Sequence, residues 1–407
     1  MEIIDGGITA AKGYMASFAK AGIKYKDRTD MAFVYSQKGA VSAGVYTSNK
    51  VKAAPVIWDR TVTEGENKVS AIVVNAGVAN ACTGEQGMKY CEAEALAVSK
   101  ALNVEKESVL VASTGVIGKQ LPIEKLVQGI EEMSKNLSSG REAGREASKA
   151  IMTTDTVNKE AAVRIEIGGK TVTLGGMCKG SGMIHPNMCT MLGFIATDCL
   201  ISKKLLQKAL SEDVEETFNM ISVDGDTSTN DTLVCLANGL AENPEINEEG
   251  EDYNKFKEAL HYINETLAKK MAADGEGASH LMEVKIKGAK NKEQAKILAK
   301  SVCCSSLVKA AVYGKDANWG RIMCALGYAK TDFNPDSASI YYESEAGKIL
   351  VCQKGRDVEF SEEEALKILS AQAVTILVEM DEGSDFATAW GCDLTHEYVS
   401  INADYRS

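Results

Sequence analysis

The sequence contains little from which a metal site could be built. It has 4 histidines and 11 cysteines in 407 residues, and no two cysteines are spaced as Cys-x-x-Cys. The number of cysteines is odd and their positions are scattered, which argues against a disulfide framework and a zinc cluster. We therefore expect a metal-independent mechanism without a cofactor, in which most cysteines serve as small buried apolar residues.

The sequence also lacks basic character and long apolar runs. Its formal net charge of -12 disfavours binding to nucleic acid or to an anionic membrane surface. No window approaches the apolar length that spans a bilayer, and the acidic start at residues 1–5 does not have the layout of a signal peptide. We expect a cytoplasmic protein whose partners are neither nucleic acids nor membranes.

The chain is long enough for two domains or one large domain, and its hydrophobic and charged fractions of 45% and 25% are ordinary for a globular protein. Predicted strands and helices alternate irregularly, which favours an α/β (α+β) layered architecture over a regular doubly wound sheet. Apolar, β-branched runs predict strands at residues 71–75, 109–112, 161–167, 191–196, 232–237, 282–286, 340–342 and 375–378. Helical periodicity predicts helices at residues 86–102, 123–137, 203–220, 253–271, 292–311 and 362–370, with Pro122 in the first turn of the second.

Residues 179–198 are the most informative stretch, because a loop with Gly180, Gly182 and Pro186 leads into an apolar run that starts at Thr190. A threonine hydroxyl alone is a poor nucleophile near neutral pH. If the bond between Cys189 and Thr190 is cut, Thr190 gains a free α-amine that can act as general base for its own Oγ. The alternative, from the residues alone, is an ordinary strand threonine.

Two loops of small residues follow predicted strands. Residues 113–118 read Ser-Thr-Gly-Val-Ile-Gly, and a glycine beside hydroxyl groups suits an oxyanion hole for a tetrahedral acyl intermediate. Residues 75–84 permit a similar close approach of the backbone. A plain tight turn is the alternative for both loops.

Four polar segments complete the candidates. Residues 153–156 and 224–232 are dense in short polar side chains; the second is similar to a calcium loop, but its twelfth position is Cys235 instead of a bidentate Glu. A network of hydrogen-bonded turns is therefore favoured there. Residues 274–278 place Glu276 between two glycines, either as a solvated turn or as a ligand for a substrate ammonium, and residues 241–252 predict an acidic surface loop.

Taken together, these residues closely resemble the ArgJ family, the glutamate N-acetyltransferases or ornithine acetyltransferases. The resemblance runs nearly from end to end, starting with Gly-Ile-Thr-Ala-Ala-Lys-Gly at residues 7–13. Further matching stretches are residues 47–56, 113–118, 316–321 and 401–407. The match is most specific over residues 179–198.

The resemblance implies a precursor that cleaves itself before Thr190. The products would be an α chain of residues 1–189 and a β chain of residues 190–407, which stay associated and assemble as an α2β2 heterotetramer. The implied fold is the layered αββα sandwich of the DmpA and ornithine acetyltransferase type, with a smaller C-terminal α/β part.

The resemblance also implies roles for single residues. Thr190 is the implied nucleophile, and Thr114 and Gly115 are the implied oxyanion pair. The implied substrate contacts are Thr153 (Thr154 if the register is off by one), Lys179, Thr190, Glu276, Asn402 and Ser407. A cation such as Lys179 and an anion such as Glu276 suit N-acetylornithine, which carries both a carboxylate and an ammonium.

The implied reaction is a double displacement in arginine biosynthesis. Thr190 takes the acetyl group of N2-acetyl-L-ornithine, and L-glutamate then takes it from acetyl-Thr190. The resemblance does not separate bifunctional members, which also acetylate glutamate from acetyl-CoA, from monofunctional ones. Two other hypotheses stay open: an amidase or aminopeptidase of the same fold, and an uncleaved, non-catalytic protein that binds amino acids.

The chain departs from the family pattern at two places. Cys189 stands where the family usually has alanine, and because both residues are small we expect cleavage to survive. The family commonly reads Asn-Ser-Gly-Asn-Ala-Asn-Ala where residues 75–81 read Asn-Ala-Gly-Val-Ala-Asn-Ala. Two polar groups are thus lost, at Ala76 and Val78. If this loop lines the acyl-donor pocket, a different donor preference is expected.

Overall fold

The structure is a computed structural model that describes residues 1–24, 26–185 and 191–403. The chain divides into two units. The larger unit comprises Met1–Gly180, Pro186–Thr217 and Thr227–Leu267. The smaller unit comprises Ser181–His185, Phe218–Asp226 and Ala268–Ser407.

Strands and helices of the described residues follow in chain order. The strands are β1 (Glu2–Ile4), β2 (Tyr14–Ala19), β3 (Met31–Tyr46), β4 (Val69–Val78), β5 (Val109–Val116), β6 (Lys159–Ile167), β7 (Lys170–Lys179), β8 (Leu192–Thr197), β9 (Ile221–Ser222), β10 (Thr232–Ala237), β11 (Leu281–Ala289), β12 (Ser339–Ser344), β13 (Gly347–Gln353), β14 (Arg356–Asp357), β15 (Ala373–Glu379) and β16 (Asp385–Cys392). The helices are α1 (Ala54–Glu64), α2 (Glu85–Leu102), α3 (Ile123–Lys135), α4 (Arg141–Ala150), α5 (Lys203–Val214), α6 (Glu251–Ala273), α7 (Lys292–Cys303), α8 (Ser306–Tyr313), α9 (Trp319–Gly327), α10 (Glu362–Leu369) and α11 (His396–Ala403).

The larger unit is built on a 9-stranded sheet in the order β1-β6-β7-β8-β10-β3-β4-β5, with β2 paired to β3. The long strand β3 runs through two layers of this sheet. Its first part, from Met31, pairs with β2 and β4, and its last part, up to Tyr46, pairs with β10. The register is irregular between Tyr35 and Ala40, where the strand passes from one layer to the other.

Apolar side chains fill the space between these two layers. Val34, Ile72 and Leu110 from one layer share a core with Phe194 and Val234 from the other. Contacts of this kind account for most of the favourable free energy of folding in a domain. The strands of both layers are therefore held face to face.

Helices cover the outer faces of both layers. Helices α2 and α3 pack through Val98 and Ile130 onto β3, β4 and β5. On the other layer, Ile263 and Leu267 of α6 lie against the backbone of β7 at Gly176. The predicted αββα sandwich is therefore confirmed.

The smaller unit is the predicted C-terminal α/β part. Its 7-stranded sheet has the order β14-β13-β12-β15-β11-β16-β9. Strand β11 is parallel to β15 and antiparallel to β16, and helix α7 packs on these central strands. No helix of the described residues combines the length and the apolarity needed to cross a bilayer.

All the predicted strands exist, but some predicted helix bounds are wrong. The predicted helix 292–311 is two helices, because Ser305 begins a new one by accepting a hydrogen bond from the Val308 N–H. The predicted helix 203–220 ends at Val214, and Pro122 is the N-cap of α3, not a residue of its first turn. The predicted acidic loop 241–252 is confirmed except for its last two residues, which begin α6.

Two carboxyl side chains, Asp59 of α1 and Glu94 of α2, are fully buried in the larger unit. The Val111 N–H donates to Asp59 Oδ1 at 2.8 Å. Within the described part of the chain, Asp59 Oδ2 and both oxygens of Glu94 have no hydrogen-bond partner. Burial raises the pKa of Glu94 from 4.5 to about 8, so this side chain is neutral at pH 7.

This buried acid predicts a pH-dependent stability. Between pH 4.5 and 8 the folded chain holds a proton on Glu94 that the unfolded chain has released, so stability falls as the pH rises through this window. Glu94→Gln should remove about 2–4 kcal/mol of that loss. The measurement is denaturant unfolding at pH 5 and pH 8. Glu92→Gln, an exposed change on the same helix, is the control, and an equal pH slope in all three chains would refute the assignment.

Candidate active site

Three of the predicted site residues meet in the larger unit. Lys179, the last residue of β7, is only 7% exposed. Its Nζ donates to Thr153 Oγ1 at 2.8 Å and lies 3.4 Å from Thr114 Oγ1. The structure thus brings one ammonium and two hydroxyl groups together from distant parts of the sequence. The hydroxyl that accepts from Lys179 is that of Thr153, and a substrate contact of Thr153 stays a prediction.

A buried carboxylate, Asp155, organises this cluster. Its oxygens accept hydrogen bonds from Lys159 Nζ at 2.8 Å, from the Thr153 N–H at 3.0 Å and from the Gly180 N–H at 2.7 Å. The Lys179 ammonium is 3.8 Å away. Burial works against the charge on Asp155, but the two ammonium groups outweigh it and hold the pKa of this carboxyl well below its usual range. Asp155 therefore stays ionised and provides a counter-charge to both lysines.

The role of Asp155 was not evident from the sequence. Residues 153–156 were recognised only as a polar segment, and within it the resemblance implied a contact for Thr153, or for Thr154 in the other register. An acidic residue two positions after a predicted contact was an available signal. The sequence did not show that Asp155 pairs with both Lys159, at the start of β6, and Lys179, at the end of β7.

The predicted oxyanion turn lies at the end of β5, beside the other small-residue loop. Gly115 has a φ of 131°, and a β carbon there would lie 2.4 Å from the carbonyl oxygen of Gly77. Only glycine fits this close approach. The two loops of small residues therefore contact each other, and Thr114 stands next to the position that the contact fixes.

The two departures from the family pattern at residues 76 and 78 are buried. Ala76 is 1% exposed and Val78 is 5% exposed. Val78 belongs to the core under α2 and α3, and the Asn75 side chain donates to its carbonyl oxygen at 2.9 Å. In the described residues, these two side chains therefore serve packing. A changed donor preference stays a prediction.

The predicted nucleophile Thr190 and its neighbour Cys189 lie outside the described residues. The next residue in the sequence, Met191, is buried, and its carbonyl oxygen accepts a hydrogen bond from the Thr232 N–H at 2.9 Å. Leu192 pairs with Lys179 across β7 and β8. The chain after the predicted cleavage position therefore runs beside the strand that carries the ammonium.

Two further predicted contacts meet within the smaller unit. Glu276 is 6% exposed, and Asn402 Nδ2 of α11 donates to its Oε2 at 2.7 Å. Asn402 Nδ2 also donates to the Tyr398 carbonyl oxygen at 3.0 Å. The turn at residues 274–278 is therefore not a solvated loop, because its carboxylate is buried and paired. Ser407 lies outside the described residues.

The segment that begins at Asp224 uses its carboxylate in turn hydrogen bonds, as predicted. Asp224 accepts from the N–H groups of Met183, Ile184 and Asp226 at 2.6, 2.9 and 3.1 Å. The Tyr398 hydroxyl donates to it at 3.2 Å. Its two oxygens are thus committed to protein donors.

A model of the ArgJ family matches residues 15–407. The chain belongs to the ArgJ family.

Individual relatives in the ArgJ family match over the whole length. The arginine biosynthesis bifunctional protein ArgJ of Caldanaerobacter subterraneus subsp. tengcongensis is 48% identical over 407 residues, which is 100% of both chains. The protein of the same name from Thermotoga neapolitana is 49% identical over 398 residues, which is 97% of this chain and 99% of the relative. The predicted family is thus confirmed.

Two solved structures are also similar. The crystal structure of arginine biosynthesis bifunctional protein ArgJ from Bacillus halodurans has 47% sequence identity and a TM-score of 0.49, covering 52% of this chain and 97% of that chain. Ornithine acetyltransferase from Mycobacterium tuberculosis, complexed with ornithine, has 38% identity and a TM-score of 0.42, covering 46% of this chain and 98% of that chain.

Proposed function

We propose that the chain is an acetyltransferase of arginine biosynthesis that moves the acetyl group of N2-acetyl-L-ornithine to L-glutamate. The Thr190 hydroxyl attacks the acetyl carbonyl, its proton passes to the α-amine, and the C–N bond breaks to release ornithine. The amine of glutamate then attacks the acetyl-Thr190 ester, which gives N-acetylglutamate and restores the hydroxyl. Relatives named for arginine biosynthesis, at 48% and 49% identity, support this function.

The observation that carries the proposal is the convergence of Lys179, Thr153 and Thr114 at the end of β7. A nearly buried ammonium beside two hydroxyls can hold an anionic group of an amino-acid substrate through charge-assisted hydrogen bonds. Lys179 pairs with Leu192 of β8, the strand that follows Thr190 in the sequence. Thr114 and Gly115 would stabilise the oxyanion of both tetrahedral intermediates, a contribution worth about 10²–10³ in turnover for each donor.

Self-cleavage at Cys189–Thr190 prepares the nucleophile. The Thr190 Oγ attacks the Cys189 carbonyl carbon, the C–N bond breaks, and the proton goes to the new amine; water then hydrolyses the ester. The sheet supports continued association of the α chain (1–189) with the β chain (190–407). Strands β8 and β10 of the β chain lie between β7 and β3 of the α chain, so backbone hydrogen bonds join the two chains on both sides.

Several properties accompany the proposed function. The enzyme acts on small molecules, uses no metal or resident cofactor, works in the cytoplasm and assembles as an α2β2 heterotetramer. Acetyl-CoA serves as a second acetyl donor for glutamate, which the word bifunctional in the names of the relatives supports. An assay of glutamate with acetyl-CoA, compared with acetylornithine at equal concentration, tests the second donor directly.

The transferase reaction predicts that ornithine release depends on glutamate. Purified enzyme with N-acetylornithine alone should release little ornithine, whereas added glutamate should give ornithine and N-acetylglutamate in equal amounts. Rates measured at several concentrations of both substrates should show ping-pong kinetics. Fast ornithine release that ignores glutamate would instead identify an amidase. A chain that stays uncleaved and turns over neither substrate would identify a binding protein.

A further inference from the structure

The segment Ser181–His185, here called the anchor segment, joins the α chain to the smaller unit. Of the described residues before the proposed cleavage position, these five are the ones that belong to the smaller unit. Residues up to Gly180 belong to the larger unit, where the Gly180 N–H is held by Asp155. The anchor segment ends at His185, a few residues before Cys189.

Asp224 binds the main chain of the anchor segment with both carboxylate oxygens. Oδ2 accepts from the Met183 N–H at 2.6 Å, and Oδ1 accepts from the Ile184 N–H at 2.9 Å. In return, the Ile184 carbonyl oxygen accepts from the Val223 N–H at 2.6 Å. Three hydrogen bonds therefore fix three consecutive peptide units, and two of the bonds involve a charged acceptor, which strengthens them.

Asp224 is itself held in place. The Tyr398 hydroxyl donates to Oδ2 at 3.2 Å and the Asp226 N–H donates to Oδ1 at 3.1 Å. Burial raises the pKa of the Asp224 carboxyl, and the hydrogen bonds from main-chain N–H groups act in the opposite direction. The Asp224 carboxylate thus has a fixed orientation. It can therefore act as a clamp, meaning that it holds the main chain at Met183 and Ile184 in one conformation.

Further contacts secure the two ends of the anchor segment. At its start, Ser181 Oγ donates to the Asp274 carbonyl oxygen at 2.7 Å, and the Ser181 carbonyl oxygen accepts from the Glu276 N–H at 3.0 Å. At its end, His185 Nδ1 lies 3.1 Å from Ser222 Oγ. A β carbon at Gly182 would lie 2.2 Å from Glu276 Oε2, so the segment also packs directly on this buried carboxylate.

We propose that Asp224 is a positioning residue for self-cleavage at Cys189–Thr190. The attack of a hydroxyl on the carbonyl that precedes it requires one narrow geometry, and each free main-chain dihedral upstream lowers the fraction of chains that adopt it. Asp224 removes that freedom at Met183 and Ile184. This inference rests on the proposed function, because it concerns the cleavage that creates the nucleophile.

Asp224→Asn tests the clamp. The asparagine amide replaces one of the two acceptor oxygens with an NH2 donor, so the N–H groups of Met183 and Ile184 can no longer both be accepted as in the wild type. The chain is made by cell-free synthesis, and the loss of the intact 43.6 kDa precursor is followed over time by denaturing electrophoresis. We expect cleavage to be about 10- to 100-fold slower than in the wild type.

Asp393→Asn is the matched control. Asp393 is a buried carboxylate of the same unit that also accepts from two consecutive N–H groups, those of Ser279 and His280, at 2.9 and 3.0 Å. Its change disturbs the smaller unit to a similar degree without touching the anchor segment, so its cleavage rate should match the wild type. Equal slowing in both variants, or no slowing in Asp224→Asn, would overturn the proposal.

Hydrogen exchange gives a second readout that does not depend on cleavage. In the uncleaved Thr190→Ala chain, exchange at the Met183 and Ile184 amides should become at least 10-fold faster when Asp224→Asn is added, and unchanged exchange contradicts the clamp. If Asp224→Asn fails to fold, Tyr398→Phe removes one donor to the carboxylate and should slow cleavage about 2- to 5-fold; a wild-type rate there counts against the proposal. A wild-type chain that never cleaves would refute the proposed function, and the inference with it.

Discussion

Thr190→Ala is expected to leave the precursor as a single chain and to abolish acetyl transfer. Without Oγ there is no nucleophile for the Cys189 carbonyl, so the bond stays intact and no α-amine forms to serve as base. Because nucleophile and base are lost together, turnover should fall by at least ~10⁴-fold. Denaturing electrophoresis reports the cleavage, and ornithine release from N-acetylornithine with glutamate reports the transfer.

Two further variants separate chemistry from packing in this experiment. Thr190→Ser keeps a hydroxyl and should still cleave, whereas Thr171→Ala removes a threonine at an exposed position of β7 and should behave as the wild type. Acetyl transfer by Thr190→Ala at the wild-type rate would eliminate the acetyl-Thr190 intermediate. Cleavage by Thr190→Ala would place the nucleophile for self-processing on another residue.

The sequence predicted the family and eight of the sixteen strands in the described residues, because both predictions depend on local patterns. Strands such as β10 are short β-branched runs, and the prediction matched its bounds of Thr232–Ala237. Strand β3 was missed because its glycine and alanine residues have low strand propensity, and β7 was missed because two consecutive glycines, Gly175 and Gly176, interrupt it. Pairing with neighbours on both sides, which the sequence does not display, makes them strands.

The same distinction applies to the candidate site. The resemblance supplied Thr153 and Lys179 separately, and the structure showed that their side chains are hydrogen-bonded at 2.8 Å. The sequence alone could not supply the role of Asp155, because a carboxylate becomes important when buried charges gather around it. The role of Asp155 therefore depends on the fold, and its size can be measured as the free energy of unfolding that is lost when the carboxylate is removed.

Asp155→Ala is expected to destabilise the chain by about 3–5 kcal/mol, because it strips a counter-charge from two buried ammonium groups. Lys159 is fully buried and Lys179 is 7% exposed, so neither can regain full hydration without opening the structure. The N–H groups of Thr153 and Gly180 lose their acceptor as well. Denaturant unfolding of the uncleaved Thr190→Ala chain, with and without Asp155→Ala, measures this loss.

The control for this experiment is an exposed ion pair. Asp5 pairs with Arg141 at 3.2 Å and its side chain is 78% exposed, so Asp5→Ala should cost less than about 1 kcal/mol. The charge argument also predicts a partial rescue, since adding Lys159→Met to Asp155→Ala removes one of the stranded charges and should recover part of the lost stability. Two results would refute the charge argument: an equal loss of stability in Asp5→Ala and Asp155→Ala, or a double variant that is less stable than Asp155→Ala.

The depressed pKa of Asp155 sets the pH range of the effect. Its contribution is complete above the ordinary pKa of an aspartate and is lost as the pH falls through the lower value of the folded state, so wild type and Asp155→Ala should converge in stability only in strong acid.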